Sequence, residues 1–205
     1  MAIDYTVRAN VIAIKSDAPK SADTFLVDTN VWYWLAYSKA SQNALPYQMS
    51  DYPSYAKAAL GAGARVFQST LSLAELSHLI EKAEREIYQA ENRPVNAKEY
   101  RHNNAGERDS VVAEIEAAYG LVTTLAEPLT ATIDANTADA ALNRLQTERV
   151  DGYDLFILES MRINGVVQII TDDGDFCTVP GIQVFTANRS VIQAAESQGK
   201  LVRRS

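Results

Sequence analysis

Short apolar segments, too brief to form stable helices, alternate along the chain with longer segments of helical periodicity. The clearest short segments are residues 25–27 and 166–170, which are rich in Val, Ile, Leu and Phe and end at polar turn residues. Residues 73–89 show the longer type, with leucines and an isoleucine at helical spacing on one face. Strands that alternate with helices predict an α/β fold with a mostly parallel central sheet.

The same patterns predict the remaining elements, which two polar stretches interrupt. Residues 38–54 contain prolines, serines and an asparagine and are expected to form a loop. Residues 91–109 are expected to form a linker or an exposed insertion. Further strands are expected at 7–14, 65–68, 121–125 and 183–185, and further helices at 31–37, 55–60, 110–118, 137–145, 153–161 and 190–197.

The composition excludes several kinds of site. With one cysteine, Cys177, the chain can form neither an internal disulfide nor a Cys-rich zinc site, and its two histidines are too few for a His-rich one. A bound metal would therefore be held mainly by oxygen, which favours Mg²⁺ or Mn²⁺. The net charge of −7 counts against broad, charge-driven binding to nucleic acid.

The chain lacks the sequence signals of a membrane or secreted protein. No segment approaches the roughly 20 apolar residues that span a bilayer. The apolar patch at 11–14 is too short for the hydrophobic region of a secretory signal. We therefore expect no membrane association and a cytoplasmic location.

Acidic residues directly follow the two best predicted strands. Asp28 comes after residues 25–27, and Asp172, Asp173 and Asp175 follow residues 166–170. Because ligands of parallel α/β sheets lie beyond the carboxyl ends of the strands, these acids converge if the two strands are neighbours. Three acids crowded into one turn raise one another's pKa unless a cation lies between them. The pattern therefore favours a metal site.

Each acid also has a structural interpretation that the local sequence leaves open. Asp28 suits the N-cap of the next helix. Ser72 and Glu75 form an S-x-x-E capping box, although a helix start that faces a cleft could instead supply Glu75 to a metal. Asp154 lies in the first turn of an apolar helix, where acids suit the helix dipole, and Asp151 is its expected cap.

Taken in order, these segments resemble the motifs of PIN-domain ribonucleases. The first motif is an apolar strand followed by Asp-Thr-Asn, and the second is a helix-borne Glu. The third is an Asp that starts an apolar helix, and the fourth is a strand followed by Thr-x-Asp and a nearby Phe. The matching segments here are FLVDTNV at 25–31, LAEL at 73–76, DLFIL at 154–158 and IITDDGDF at 169–176.

The resemblance implies a three-layer α/β/α fold and a metal-dependent endoribonuclease that hydrolyses RNA. It implies a catalytic quartet of acids that holds Mg²⁺ or Mn²⁺, with three aspartates competing for the last place. The quartet is Asp28, Glu75, Asp154 and Asp173; the alternative metal ligands at the last place are Asp172 and Asp175; the supporting residues are Thr29, Asn30 and Thr171. Many small relatives are VapC-like toxins that pair with an antitoxin protein and form dimers, so an antitoxin and a homodimer are expected.

The chain is longer than those small relatives. We expect a single domain over residues 1–205, whose core lies at about 24–187. An N-terminal extension at 1–22 and a helical or loop insertion at about 82–120 account for much of the extra length, together with extra residues between 38 and 55.

Other functions are compatible with the same residues. The chain could be a PIN-like module that binds RNA or protein without cutting, another phosphotransfer domain, or a structural domain whose acids are caps and turns. A dehalogenase-type site requires a second Asp where this chain has Asn30. The aromatic run at 32–37 is expected in the core or a dimer interface rather than stacked on bases. Basic residues that could contact RNA are Arg85, Arg93, Lys98, Arg101, Arg108, Arg162, Lys200, Arg203 and Arg204.

Overall fold

A computed structural model describes residues 3–204 and contains a sheet of six strands. Every paired strand runs parallel to its neighbour, in the order β1-β6-β5-β2-β3-β4, which confirms the predicted α/β class. The strands are β1 (Asn10–Ala13), β2 (Thr24–Val27), β3 (Arg65–Ser69), β4 (Glu127–Leu129), β5 (Gln168–Ile170) and β6 (Gln183–Thr186).

Eight α-helices connect and follow the strands within the described part of the chain. They are α1 (Thr29–Ala36), α2 (Pro46–Gly61), α3 (Ser72–Glu91), α4 (Ala97–Asn103), α5 (Ala105–Leu125), α6 (Ala135–Leu145), α7 (Gly152–Ile163) and α8 (Arg189–Ser197). None of these helices is long and apolar enough to cross a membrane.

Residues along each strand alternate between two apolar clusters. Phe25 and Val27 of β2 pack with residues of α1, α2, α3 and α5. Leu26, between them, packs with residues of α6, α7 and α8. Because successive side chains of a strand point to opposite faces, helices cover both faces of the sheet. This arrangement confirms the predicted three-layer α/β/α architecture.

The order of the strands creates a crevice between β2 and β5. From β2 the chain moves outward through β3 and β4, and it returns on the other side of β2 as β5. Such a reversal is a topological switch point, where ligands of open α/β sheets bind beyond the carboxyl ends of the strands. Residues 25–27 lie in register with 168–170, so the two acid-bearing strand ends are neighbours, which is the condition under which their acids were expected to converge.

The expected N-terminal extension supplies an edge strand. β1 pairs in parallel with β6, and its outer edge is covered by the end of the chain. The amide of Val11 donates to the carbonyl of Lys200 at 2.9 Å, and the amide of Val202 donates to the carbonyl of Val11 at 2.8 Å. These bonds occupy backbone groups that an open edge would leave unpaired.

Two stretches predicted to be irregular are helical. Within residues 38–54, Pro46 is the first residue of α2, a position that proline tolerates because its missing N–H would be unpaired there anyway. The helix continues past Pro53. Within residues 91–109 lies α4, whose Tyr100 is buried against Val95 and Val111. The prediction of a loop at 38–54 was therefore wrong in part, because packing overrode local composition, and the helix within 91–109 lies inside the expected helical or loop insertion at about 82–120.

The strand predicted at residues 121–125 was also misplaced. Those residues form the last turn of α5, and the strand is β4, which includes Pro128. A proline has no N–H to donate to a neighbouring strand, so prolines in sheets are found mainly on edge strands. β4 is such a strand, because it lies at the edge of the sheet and pairs only with β3.

Candidate active site

Asp28 lies where β2 ends and α1 begins. Its amide continues the sheet by donating to the carbonyl of Ile170 at 3.0 Å, and its carboxylate caps α1 by accepting from the Thr29 amide at 2.6 Å. Asn30 Nδ2 and Thr171 Oγ1 also donate to this carboxylate, at 2.7 and 2.6 Å. Asp28 is only 7% exposed, and burial raises its pKa to about 7 despite these hydrogen bonds.

Glu75 lies in the first turn of α3 but does not form the predicted capping box. Leu71 is the cap residue, Ser72 is already helical, and no side chain caps the helix. Instead Thr29 Oγ1 donates to Glu75 Oε2 at 2.5 Å, which joins the start of α3 to the start of α1. Burial raises the pKa of Glu75, and the charges of Asp151 and Asp173 add to the effect.

Asp154 lies in the first turn of α7, as predicted. Asp151 caps this helix by accepting from the amides of Tyr153 and Asp154, which confirms the interpretation of Asp151 as the cap. Asp154 is 5% exposed, and within residues 3–204 no hydrogen bond to its carboxylate is found. Burial, followed by the charge of Asp28, raises its pKa to about 9.

The turn after β5 separates its three aspartates. The carboxylate of Asp173 accepts from the amide of Asp175, and its own amide donates to Thr171 Oγ1. Asp172 turns the other way, toward α2, where Tyr52 Oη and Gln48 Nε2 each donate to it at 2.6 Å. The pKa of Asp173 is raised by burial first and then by the neighbouring acids.

One pocket of about 370 Å³ gathers the predicted quartet at the switch point. It is lined by Asp28, Thr29, Asn30, Glu75, His78, Leu79, Asp151, Tyr153, Asp154 and Asp173. Asp172 is not among these residues, and Asp175 lies beside a different depression with Arg8 and Arg149. The structure therefore does not place Asp172 or Asp175 with the other candidate ligands. The turn directs the side chains of Asp172, Asp173 and Asp175 in three different directions.

A family model for PIN domains matches residues 25–182, well over half of the chain. The chain belongs to the PIN-domain family. No curated protein matches its sequence. PIN domains are in general nucleases that use divalent metals, so membership indicates nuclease activity in general.

The pocket of this PIN domain offers the donor atoms that Mg²⁺ or Mn²⁺ prefers. Its carboxylates provide oxygen ligands. Burial and the charges of neighbouring acids raise the pKa values of Asp28 and Asp154, and a bound cation would reduce this electrostatic repulsion. Asn30 Oδ1 is buried without a hydrogen-bond partner. Across residues 3–204, however, no three His, Cys, Asp or Glu side chains form a ready metal-binding group.

Four residues that line the pocket were not predicted as site residues: Asp151, His78, Tyr153 and the apolar Leu79. Asp151 was expected only as a cap, yet it also lines the pocket. His78 lies one turn after Glu75 on α3, so the spacing of these two residues was an available signal. The sequence does not indicate that Tyr153 faces the pocket, because the start of an apolar helix does not show which of its aromatic residues lies in a cleft.

The basic and aromatic residues considered for RNA contact are largely engaged elsewhere. Five of the nine basic candidates form ion pairs with acids of the protein: Arg93 with Glu99, Arg101 and Arg108 with Glu81, Arg162 with Glu159, and Arg204 with Asp17 and Asp23. In the aromatic run, Trp32, Tyr33 and Tyr37 are buried, which confirms that they belong to the core.

Proposed function

We propose that this PIN domain is a metal-dependent endoribonuclease that hydrolyses RNA phosphodiester bonds. The observation that carries the proposal is the convergence of Asp28, Glu75, Asp154 and Asp173 on one pocket at the switch point of the sheet. These residues come from four separate elements, in the order of the PIN motifs. In a purely structural domain, acids that cap helices and turns have no reason to share a pocket.

The quartet would hold Mg²⁺ or Mn²⁺, which lowers the pKa of a bound water and stabilises negative charge on the scissile phosphate. Asp28 is kept in one orientation by Thr29, Asn30 and Thr171. Because metal ligands must be deprotonated, the carboxyl groups of Asp28 and Asp154 must lose protons before they bind a cation near neutral pH.

The supporting residues hold the acids of the pocket in fixed positions relative to one another. Thr29 uses its amide for Asp28 and its hydroxyl for Glu75, so one residue fixes the distance between two of the four acids. Thr171 likewise donates to Asp28 and accepts from the amide of Asp173. Such fixed carboxylates orient a substrate phosphate and an attacking water without reorganisation of the site.

Cleavage of a mixed, labelled RNA pool with and without Mn²⁺ tests the proposal. Wild type, Asp28→Asn and the exposed-residue control Asp139→Asn are compared. We expect metal-dependent cleavage by wild type and by the control, and at least about 100-fold less by Asp28→Asn, the scale seen when one main electrostatic contact is removed. Full activity of Asp28→Asn would exclude the assigned site. A labelled DNA pool in parallel establishes the preference between RNA and DNA.

A second candidate is a PIN-like module that binds RNA or protein without cutting. The absence of a ready group of three metal-binding side chains within residues 3–204 favours it. Titration with Mn²⁺ separates the two candidates. A nuclease binds the metal through Asp28, and its melting temperature rises, whereas a binding module shows no metal-dependent change.

The partners proposed from the resemblance are an antitoxin protein and a second copy of the chain. Size-exclusion chromatography with light scattering tests the homodimer. Co-expression with the product of a short neighbouring reading frame tests the antitoxin, because a true antitoxin co-purifies with the chain and suppresses its cleavage of RNA.

A further inference from the structure

A second, apolar pocket of about 380 Å³ opens beside the carboxylate pocket. It is lined by Leu71, Ile133, Gly152, Tyr153 and Phe156, so its walls carry apolar side chains and no charge. Tyr153 lines both pockets, so the two pockets are adjacent and share one wall residue. Ile133 and Tyr153 are 55% and 49% exposed, so the pocket presents apolar surface to solvent directly beside a group of acids.

Tyr153 is placed beside the acids by the start of α7. Its amide donates to the Asp151 cap, and Asp154, the next residue, faces the carboxylate pocket. The side chain is 49% exposed, and no hydrogen bond to its hydroxyl is found within residues 3–204. The fold therefore holds the ring by its backbone and leaves the ring surface available.

We propose that this apolar pocket binds an unstacked nucleobase next to the scissile phosphate, with Tyr153 as the stacking surface. The inference rests on the proposed function, because it takes the carboxylate pocket as the place where the phosphate lies. Because Tyr153 lines both pockets, a base stacked on its ring lies beside a phosphate held in the carboxylate pocket, and a pocket lined by apolar side chains accepts any base by its face.

The charge of the protein explains why such a contact is needed. The chain carries a net charge of −7, and many of its arginines are already paired with acids. Attraction to phosphates therefore contributes little to the binding of a nucleic acid. Base stacking does not depend on opposite charge and supplies affinity for single strands, whose bases are free to leave the stack. The pocket thus selects unpaired RNA.

Fluorescence anisotropy with a fluorescein-labelled single-stranded RNA of roughly 12 nucleotides tests the inference. Proteins carry Asp28→Asn to prevent cleavage, and each is measured at low and high salt. We expect Tyr153→Leu to bind the RNA about 5- to 150-fold more weakly than the parent protein, and Tyr153→Phe to bind it like the parent. The ratio of the dissociation constants of Tyr153→Leu and the parent is expected to be the same at both salt concentrations. The matched control is Ile163→Ala, which removes a 50% exposed apolar side chain at the other end of α7.

A set of RNAs, each with one abasic nucleotide at a different position in the strand, identifies the base that occupies the pocket. The abasic substitution at that place weakens binding by the parent protein and has no further effect on Tyr153→Leu. Equal binding by Tyr153→Leu and the parent, or no binding of single-stranded RNA by either, overturns the inference. A change in oligomeric state of Tyr153→Leu with unchanged RNA binding also overturns it and assigns the pocket to contact between copies.

The outcome is distinguishable from failure of the proposed function. If wild type binds single-stranded RNA through Tyr153 but cuts nothing in Mn²⁺, the base-binding pocket stands and the nuclease proposal fails. If wild type cuts RNA and Tyr153→Leu cuts it with an unchanged KM, the nuclease proposal stands and the base-binding pocket fails.

Discussion

Replacing Asp154 with Asn is expected to make the metal-free protein more stable while removing one of its candidate metal ligands. The carboxyl group is buried among other acids, and no hydrogen bond to it is found within residues 3–204, so the substitution loses no acceptor contact. An amide of nearly the same shape carries no charge to bury. Acids held together against their own repulsion reduce the stability of the fold in favour of function.

The magnitude follows from the shift in pKa. At about pH 7 an aspartate of ordinary pKa, 3.8, is ionised in the unfolded chain, whereas Asp154 in the fold has a pKa of about 9 and keeps its proton. Each of the roughly three pH units between the ordinary pKa of 3.8 and pH 7 costs about 1.4 kcal/mol, so the penalty is at most about 4.5 kcal/mol. Because neighbouring acids share protons and relax, we expect a gain of about 1–3 kcal/mol, or roughly 2–10 °C in Tm.

The effect has a defined dependence on pH. Below about pH 4 the carboxyl is protonated in both the folded and the unfolded chain, so the variant and wild type are equally stable. As the pH rises toward the folded pKa of about 9, wild type loses stability that the variant retains. The difference between the two proteins therefore widens from acid to neutral pH.

Urea unfolding in the presence of EDTA, over a series of pH values, measures this difference. Asp139→Asn removes the same charge from an exposed site and serves as the control. Addition of Mn²⁺ is expected to stabilise wild type more than the variant, because a cation that binds only the folded chain raises its stability. If Asp154→Asn is no more stable than wild type near neutral pH without metal, the electrostatic reasoning about the pocket is refuted.

Three further substitutions test other parts of the structure. Asp172→Ala removes the acceptor of the donors on α2 and is expected to cost about 2–4 kcal/mol in urea unfolding. Burial acts to raise the pKa of Glu159, but hydrogen bonds from Arg144 and Arg162 outweigh it and lower the pKa. At pH values above the ordinary pKa of Glu, Glu159→Gln is therefore expected to lower the free energy of unfolding by about 2–4 kcal/mol. The loss becomes smaller as the pH falls through the pKa of Glu159 in the folded protein, and urea unfolding at two pH values measures it. Gly174→Ala places a methyl group against the Tyr5 ring and is expected to cost about 1–2 kcal/mol by thermal unfolding.

Each of these substitutions has a control and an outcome that contradicts it. Asp139→Ala controls for Asp172→Ala, and equal stability of the two variants would show that the contacts to α2 contribute little. A cost of Glu159→Gln that stays constant with pH would argue against the charge network. The clash at Gly174 is relieved in the double variant with Tyr5→Ala, so non-additivity is expected, and a purely additive result would place the cost elsewhere.

The parts of the fold predictable from sequence are those in which a local pattern and the packing agree. Both acid-bearing strands lie at the short apolar segments that precede Asp28 and Asp172. Such segments indicate strands because a parallel strand that is buried on both faces is mostly apolar. The start of α7 was also predictable, since Asp151 is a strong cap and the helix is apolar. Its end was signalled by Gly165, which follows the helix with a φ of 67°, a conformation that glycine adopts readily.

The remaining errors arose where tertiary contacts overrode a local signal. Ser72 and Glu75 satisfy the spacing of a capping box, but Glu75 is recruited by Thr29 from another helix, a partner that no local window contains. Asp172 and Asp173 are adjacent and chemically identical, so only the direction of the turn tells which one faces the pocket. Helix α2 starts at Pro46 and continues past Pro53, because buried residues such as Tyr52 hold it against the sheet.

The four acids of the proposed quartet are distributed over the chain from residue 28 to residue 173. An unfinished polypeptide on the ribosome carries the first of these acids long before the last one exists. A fragment that ends before Asp173 has no complete quartet, however well its early strands and helices form. The proposed nuclease site can therefore assemble only after residue 173 has been synthesised, so every shorter nascent fragment lacks it.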